Sequence, residues 1–448
     1  MDGCGDGDRG CPGHDPTSGL TVRCAKILLL LLLLAWLSLM FWNTAKPLPP
    51  GTHLVSRTAR LSDADVDFLY ESPRRRAAVA PDLSAIDHAE QLIVLDRSPV
   101  TRELAQRLLA RKHLRPHLKI VLVTDPANEA FGGSPAQTLT SLEQAGVIVA
   151  RVRLDRLRDS NPLYSGLWRL AFGWWSDPFD ETPGRATLPA LARTRNSKSD
   201  QRQLVVADDG SGGWIAIIAP TGAAASLTLR GPLARAIIAG ELQVAAWSTD
   251  DDRLPVSPSM DDRGVGSIDA RFLTEGAIET ALFDAIGAAG SGDRLGIAVE
   301  NFSERRLIAA ALRAAARGAS LQVLLARNRE PNQAVADELL RSGGGRIEIR
   351  WYLGSDAASL PKLLLFRHGD DMWMNLGTAN YTRRNLGDLN LAASVELRMP
   401  ARAAAARAIT EYFSEAWSVA AADPKFAAAS AADYWHYRIA EASGLSSF

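Results

Sequence analysis

Leu204-Val-Val-Ala-Asp-Asp-Gly210 and Leu363-Leu-Leu-Phe-Arg-His-Gly369 are the two stretches that decide the fold when laid on each other. The offset of 159 that places Leu204 on Leu363 also places Gly210 on Gly369 and, carried on without a gap, Trp214 on Trp373. Each stretch reads as a short apolar strand, a glycine turn and a second strand. Two copies with Gly and Trp at one fixed offset point to an internal duplication. The flanking segments agree. Gln91-Leu-Ile-Val-Leu-Asp96, a helical run from Val100 to Lys112, and Leu118-Lys-Ile-Val-Leu-Val-Thr124 form one unit. Leu295-Gly-Ile-Ala-Val-Glu300, a helical run from Ser303 to Arg317, and Leu321-Gln-Val-Leu-Leu-Ala-Arg327 form another. Their strand starts lie 27 residues apart (91 to 118) and 26 residues apart (295 to 321). Apolar strands joined by helices imply parallel βαβ units buried on both faces. The expected fold class is α/β: two duplicated α/β/α halves, 52–248 and 267–425, forming one bilobal domain. The Asp-, Pro- and Ser-rich stretch 249–266 is their connector, and 426–448 reads as a C-terminal tail.

The chain has 448 residues, 47% hydrophobic and 23% charged, a globular composition. A formal net charge of -1 argues against a strongly basic nucleic-acid binder, so no nucleic-acid partner is expected. The three cysteines, Cys4, Cys11 and Cys24, all lie near the N-terminus. The body therefore has no disulfide scaffold, no cysteine-based zinc site and no thiolate nucleophile. The reading calls for no metal and no cofactor.

After a tail, 1–26, Ile27 to Trp42 is apolar except for Ser38 and contains the unbroken run Leu28–Leu34. With Asn43, Thr44 and Ala45 it reaches the roughly 17–20 residues that a bilayer core requires. Arg23 and Lys26 precede it, and Trp36, Phe41 and Trp42 suit an interfacial belt. No small-x-small cleavage site follows directly. The expectation is an uncleaved single-pass anchor, 27–45, in the cell inner membrane, with the body on the periplasmic side. Basic residues on the two flanks (Arg9, Arg23 and Lys26 against Lys46, Arg57 and Arg60) balance and do not fix the orientation. Tyr164 to Trp175 carries one apolar helical face made by Tyr164, Leu167, Trp168, Ala171, Phe172 and Trp175. It reads either as an interfacial helix or as a helix packed on the core.

Lys362 on a strand, with Gly377-Thr-Ala-Asn380 closing the next, can converge on one phosphate. The lysine offers a cation and the asparagine amide offers neutral donors. Alone, the bland alternative is a surface lysine beside an ordinary turn.

With these residues the sequence resembles the phospholipase D superfamily, in particular its bacterial cardiolipin-synthase-like branch, from about Gln91 to Met399. Leu204-Val-Val-Ala-Asp-Asp-Gly-Ser-Gly-Gly-Trp214 and Arg156-Leu-Arg-Asp-Ser-Asn-Pro162 carry the resemblance. Above all it rests on Lys362-Leu-Leu-Leu365 and Gly377-Thr-Ala-Asn-Tyr-Thr-Arg-Arg-Asn-Leu386. It implies two phospholipase D-like halves facing each other, each with H-x-K-x-x-x-x-D and a downstream G-[ST]-x-N. One histidine would attack phosphorus and form a phosphohistidine; the other would protonate the leaving alcohol and then activate the incoming one. The lysines and asparagines would hold the phosphate oxygens.

Mapped onto that pattern, the first half has Gln201 at the histidine position, Gln203 at the lysine position and Asp208 at the aspartate position. Its G-[ST]-x-N position falls on Ile218-Ala-Pro-Thr221, which does not match. The second half has Leu360, Lys362 and Arg367 at the same three positions, while Gly377, Thr378 and Asn380 match. Ala392 follows Asn390-Leu391, where similar proteins commonly carry an acid. The candidate site residues are thus Lys362, Asn380, Thr378, Gly377 and Asp208. No other histidine (His14, His53, His88, His113, His117, His368, His436) has the required spacing. The resemblance implies a membrane-anchored relative of enzymes of phospholipid phosphodiester hydrolysis or phosphatidyl transfer, impaired because both histidines are replaced. The competing reading is a pseudoenzyme that binds phospholipid or a protein. A nuclease is disfavoured by the charge and the anchor. The expected partner is a phospholipid membrane; the sequence names no protein partner.

Overall fold

The computed structural model describes residues 16–72, 84–130, 133–172, 196, 198–219, 225–258, 263–327, 331–352, 360–422 and 429–443. The described chain opens with a 30-residue helix, α1 (Pro16–Ala45), and a short strand, β1 (Ala59–Leu61). Seven strands then build the first sheet: β2 (Val66–Tyr70), β3 (Leu92–Asp96), β4 (Lys119–Thr124), β5 (Ile148–Arg151), β6 (Leu204–Asp208), β7 (Trp214–Ile218) and β8 (Ala225–Arg230). Between them run α2 (Ser84–His88), α3 (Arg102–Leu114), α4 (Pro126–Ala130), α5 (Ala136–Gln144) and α6 (Pro162–Phe172); α7 (Pro232–Ser248) follows β8.

The second sheet holds β9 (Ile268–Thr274), β10 (Arg294–Val299), β11 (Ser320–Ala326), β12 (Ile347–Tyr352), β13 (Lys362–His368), β14 (Asp371–Gly377) and β15 (Ala393–Pro400). Its helices are α8 (Gly276–Ala288), α9 (Arg305–Ala316), α10 (Asn332–Ser342), α11 (Arg383–Leu386), α12 (Ala404–Val419) and α13 (Ala431–Ser443).

The two sheets have the same topology. The first runs β2-β8-β7-β6-β3-β4-β5 and the second runs β9-β15-β14-β13-β10-β11-β12, with β1 added beyond β9. In each, two parallel pairings (β3–β4–β5 and β10–β11–β12) join an antiparallel set. The apolar strands β3 and β6 are buried along their whole length, as expected for strands covered on both faces.

Three apolar clusters hold the layers. One lies outside the first sheet and includes Leu104, Leu108 and Leu139 from α3 and α5. A second lies outside the second sheet and includes Ile278, Ile308 and Val335 from α8, α9 and α10. The largest is shared: Val94, Val206 and Ile218 of one sheet and Leu363, Met374 and Val395 of the other enclose Ile237 of α7 and Tyr412 and Trp417 of α12.

Four features differ from the sequence reading. The apolar helix begins at Pro16, well before 27. Residues 55–61, assigned to the first half, pair with the second sheet: Val55 bridges Leu273, and Ala59 and Leu61 face Ala270 and Ile268. A three-residue strand carries no periodicity that could reveal such a partner. The stretch assigned as a C-terminal tail contains α13, docked by the buried Tyr437, whose hydroxyl donates to Ser303 O at 2.8 Å. Finally, the hairpins differ by one rung. Trp214 pairs with Asp208, whereas Trp373 pairs with Phe366, because β6 and β7 are joined by a longer turn than β13 and β14.

Candidate functional site

Lys362 starts β13 and pairs with Gly377 at the end of β14. Its side chain is buried, with Nζ 3.3 Å from Glu300 Oε2 in the turn after β10. Gly377 is required by space: a Cβ there would lie 2.2 Å from Ala393 O on β15. Thr378 Oγ1 accepts from Ala393 N at 3.1 Å, which fixes the turn. Asn380 Oδ1 accepts from Asn301 N at 3.2 Å, and Tyr381 N donates to Asn301 O at 3.0 Å. Lys362, Gly377, Thr378 and Asn380 therefore stand together over the 300–302 turn.

The first half repeats this geometry with different chemistry. Gln203 occupies the place of Lys362, and its Nε2 donates to Ser98 O at 2.7 Å, in the turn after β3. Ala219 N donates to Gln203 O, so Ala219, one residue after the expected Ile218, is the counterpart of Gly377. Pro220 and Thr221 lie outside the described residues.

The two histidine positions have become a cross-lobe amide and a core leucine. Gln201 Oε1 accepts from Asn385 Nδ2, Gln201 Nε2 donates to Ser199 Oγ at 3.1 Å, and Gln201 N donates to Leu391 O at 2.9 Å. Leu360 is fully buried in the apolar cluster shared by the halves. Asp208 is not brought to this group. It ends β6, about 16 Å along the strand from Gln203 at roughly 3.3 Å per residue. Its carboxylate accepts from the backbone N–H of Glu90, Gln91 and Leu92, each at 2.8 Å, and so fixes the entry to β3. Its neighbour Asp209 caps the turn through Ser211 N and Gly213 N, each at 2.8 Å.

Sequence spacing gave no sign of Arg202, between the two glutamines. It is fully buried and donates to Glu241 Oε1 of α7 (2.9 Å), to Glu275 Oε1 beside β9 (2.7 Å) and to Gly51 O of the segment leaving α1 (2.8 Å). Two further buried acids, Asp96 and Asp200, surround it. Burial first, then repulsion from Asp200 and Glu241, raises the Asp96 carboxyl well above the usual range. Burial likewise raises Asp200, with Asp125 and Glu241 adding to it against the attraction of Arg202. The only available signal was a charge flanking apolar strands.

Two histidines do find carboxylates. His53 Nδ1 lies 2.8 Å from Asp388 Oδ1, and His368 Nδ1 lies 2.7 Å from Asp293 Oδ1. His53, which by sequence merely flanks the anchor, thus rests on the second half, but neither ring is at the start of β6 or β13.

Below this region the base of α6 is tied together by charge. Asp159, fully buried, holds Lys198 and accepts from Arg169 Nε at 3.1 Å. Burial would raise Asp159, but Lys198 and Arg169 outweigh it and hold the carboxyl at about 2. For Lys198 burial wins over the attraction of Asp159, pulling the amine down to about 7. Arg383 Nη2 donates to Ser160 O at 2.7 Å, so the block Arg156–Pro162 reaches the second half. α6 packs along α1, not on a sheet: Trp36 Nε1 donates to Leu163 O at 3.1 Å. Trp174 and Trp175 lie outside the described residues.

Residues 282–417 match the family model described as cardiolipin synthase, PLD-like domain. Phosphatidylserine synthase from Haemophilus influenzae Rd KW20 shares the fold across both halves. Its TM-score is 0.52 at 10% identity, covering 86% of this chain and 91% of that one. The chain carries a phospholipase D-like domain. The phospholipase D family member Nuc from Salmonella typhimurium matches at 15% identity over 34% of this chain and 97% of its own, with a TM-score of 0.28. Polyphosphate kinase from Porphyromonas gingivalis matches at 10% identity over 78% of this chain and 46% of its own, with a TM-score of 0.43. No curated protein matches the sequence. Within the phospholipase D fold of this chain, the start of β6 and the start of β13 are the equivalent places in the two halves, and Gln201 and Leu360 stand just before them.

Proposed function

We propose that this chain is a membrane-anchored phospholipase D-superfamily protein that engages a phospholipid phosphodiester without turning it over. The observation that carries this reading is the pair Gln201 and Leu360. A glutamine amide has no titratable ring nitrogen, and here its oxygen is already held by Asn385. A leucine offers no nucleophile, and this one is sealed in the shared core. Neither can form a phosphohistidine or pass a proton to a leaving alcohol. Lys362 is also met by the Glu300 carboxylate, so an anionic headgroup would compete for that cation. The phospholipid class is supported by the cardiolipin-synthase family model and by the fold shared with phosphatidylserine synthase. Arg23–Ala45, 23 residues, is long and apolar enough to cross a membrane. On this reading it is a single-pass anchor in the inner membrane, with the body on the periplasmic side, and the two halves of equal topology descend from one duplicated unit.

The test uses the full-length protein in nanodiscs containing phosphatidylglycerol or phosphatidylethanolamine. Cardiolipin and phosphatidic acid are sought by mass spectrometry. No product is expected. Turnover that Lys362→Ala abolishes would overturn the loss of catalysis.

A further inference from the structure

We infer that α6 is a second membrane element, lying in the boundary between headgroups and acyl chains beside α1, with phospholipid as the occupant of its exposed face. The inference rests on reading α1 as the anchor. The path of the chain is the first observation. Asp159 N donates to Asn43 O at 2.9 Å, near the end of α1. Leu163 O then meets Trp36 Nε1, and Gly166 lies so close to Trp36 that a Cβ would fall 2.5 Å from its ring. Seven residues separate Asn43 from Trp36, about 10 Å of helix at 1.5 Å per residue. The chain thus returns along the last two turns of α1 as far as Trp36, which both Leu163 and Gly166 of α6 meet. α1 changes accordingly: Leu28–Leu34 are exposed, whereas Ala35, Trp36, Leu37, Leu39 and Met40 are half-covered.

The second observation is the outer face of α6. Leu163 and Leu167 are 51% and 59% exposed, on a helix that meets α1 at Trp36. The third is the handling of charge. Arg169 is the one charged side chain of α6. Its guanidinium does not turn outward. It reaches back toward the start of the helix and the buried Asp159, at 3.1 and 3.3 Å, and lies over the Trp168 ring at 5.3 Å. Helical side chains lean toward the N-terminus, so this return is sterically natural. Ser165 Oγ donates to the same carboxylate at 2.5 Å. A helix bathed in water has no need to withdraw its charge; one in lipid does. Eleven residues span only about 16 Å, too short to cross a bilayer core of about 30 Å, so the helix stays at the interface.

The experiment places a single NBD label on the full-length protein in nanodiscs, with Cys4, Cys11 and Cys24 replaced by serine. Leu167→Cys tests α6, Leu31→Cys reports the anchor, and Val256→Cys, 92% exposed on the body, reports water. Quenchers are lipids with a shallow or a deep nitroxide, and aqueous iodide. The expected result is loss of fluorescence at position 167 with shallow-nitroxide lipid and protection from iodide. Position 31 should respond to deep-nitroxide lipid and position 256 to iodide alone. If position 167 behaves like 256 while 31 stays lipid-quenched, the inference fails and the anchor stands. Protection of 167 from both quenchers would assign the face to a protein and also overturn it. Iodide access at 31 would overturn the anchor itself.

Discussion

Arg202 is the residue on which most of the buried charge depends. Its one guanidinium joins α7, the start of the second lobe and the segment leaving α1, with Glu241 and Glu275 as its carboxylate partners. Removing one partner of a buried ion pair leaves an uncompensated charge, which costs about 3–5 kcal/mol. Arg202→Gln is therefore expected to lower unfolding stability by that amount, measured by urea denaturation, whereas Arg398→Gln, a largely exposed control, should change it little. Asp159 gives a pH-dependent counterpart. Its carboxyl is held at about 2 in the folded protein, below the ~3.9 of an unfolded aspartate. A depressed folded value stabilises fully above the unfolded value and fades as pH falls through the folded one. Stability should drop between about pH 4 and pH 2, and Asp159→Asn should flatten that part of the curve in acid titrations followed by near-UV circular dichroism. At this scale the grouping of Lys362, Gly377, Thr378 and Asn380 was legible because two antiparallel strands joined by a short turn bring residues at that spacing together. Asp208 stands at the far end of β6 from Gln203, and its hold on the entry to β3 depends on backbone groups that motif spacing does not reveal. Arg202 was invisible because its partners come from far along the chain.

Among the elements, the α1–α6 pair is the one whose fit turns on a single small residue. Gly166→Val would drive a branched side chain into Trp36. Overpacking of this kind costs about 1–3 kcal/mol, so the variant should melt earlier in differential scanning fluorimetry. The strands β3, β4, β6, β10, β11 and β13 could be read from the sequence because their apolar runs are short and bounded by turns. The one-rung difference between the hairpins could not, since register depends on turn length and pairing that composition does not encode. The partner of α6 was left open for a like reason: an apolar face announces burial but not against what.

For the molecule as a whole, the decisive feature is that the largest apolar cluster belongs to neither lobe alone. Each lobe taken separately would expose Val206 and Ile218 on one side, or Leu363 and Val395 on the other. The two lobes should therefore unfold together, in a single calorimetric transition with equal van't Hoff and calorimetric enthalpies; two resolved transitions would refute a common core. The two-lobed plan was legible from the repeated strand–helix–strand pattern, but the sharing of the core was not, because it depends on how the lobes face each other. β1 adds a consequence in time. Leu61 must pair with Ile268, about 200 residues further on. At roughly 5–20 residues per second of synthesis, β1 waits on the order of 10–40 s for its partner strand to exist. Throughout that interval its backbone amides have only water or a chaperone to bind. The edge of the second sheet is thus closed by the oldest strand of the body, which cannot pair until more than half of the chain has been made.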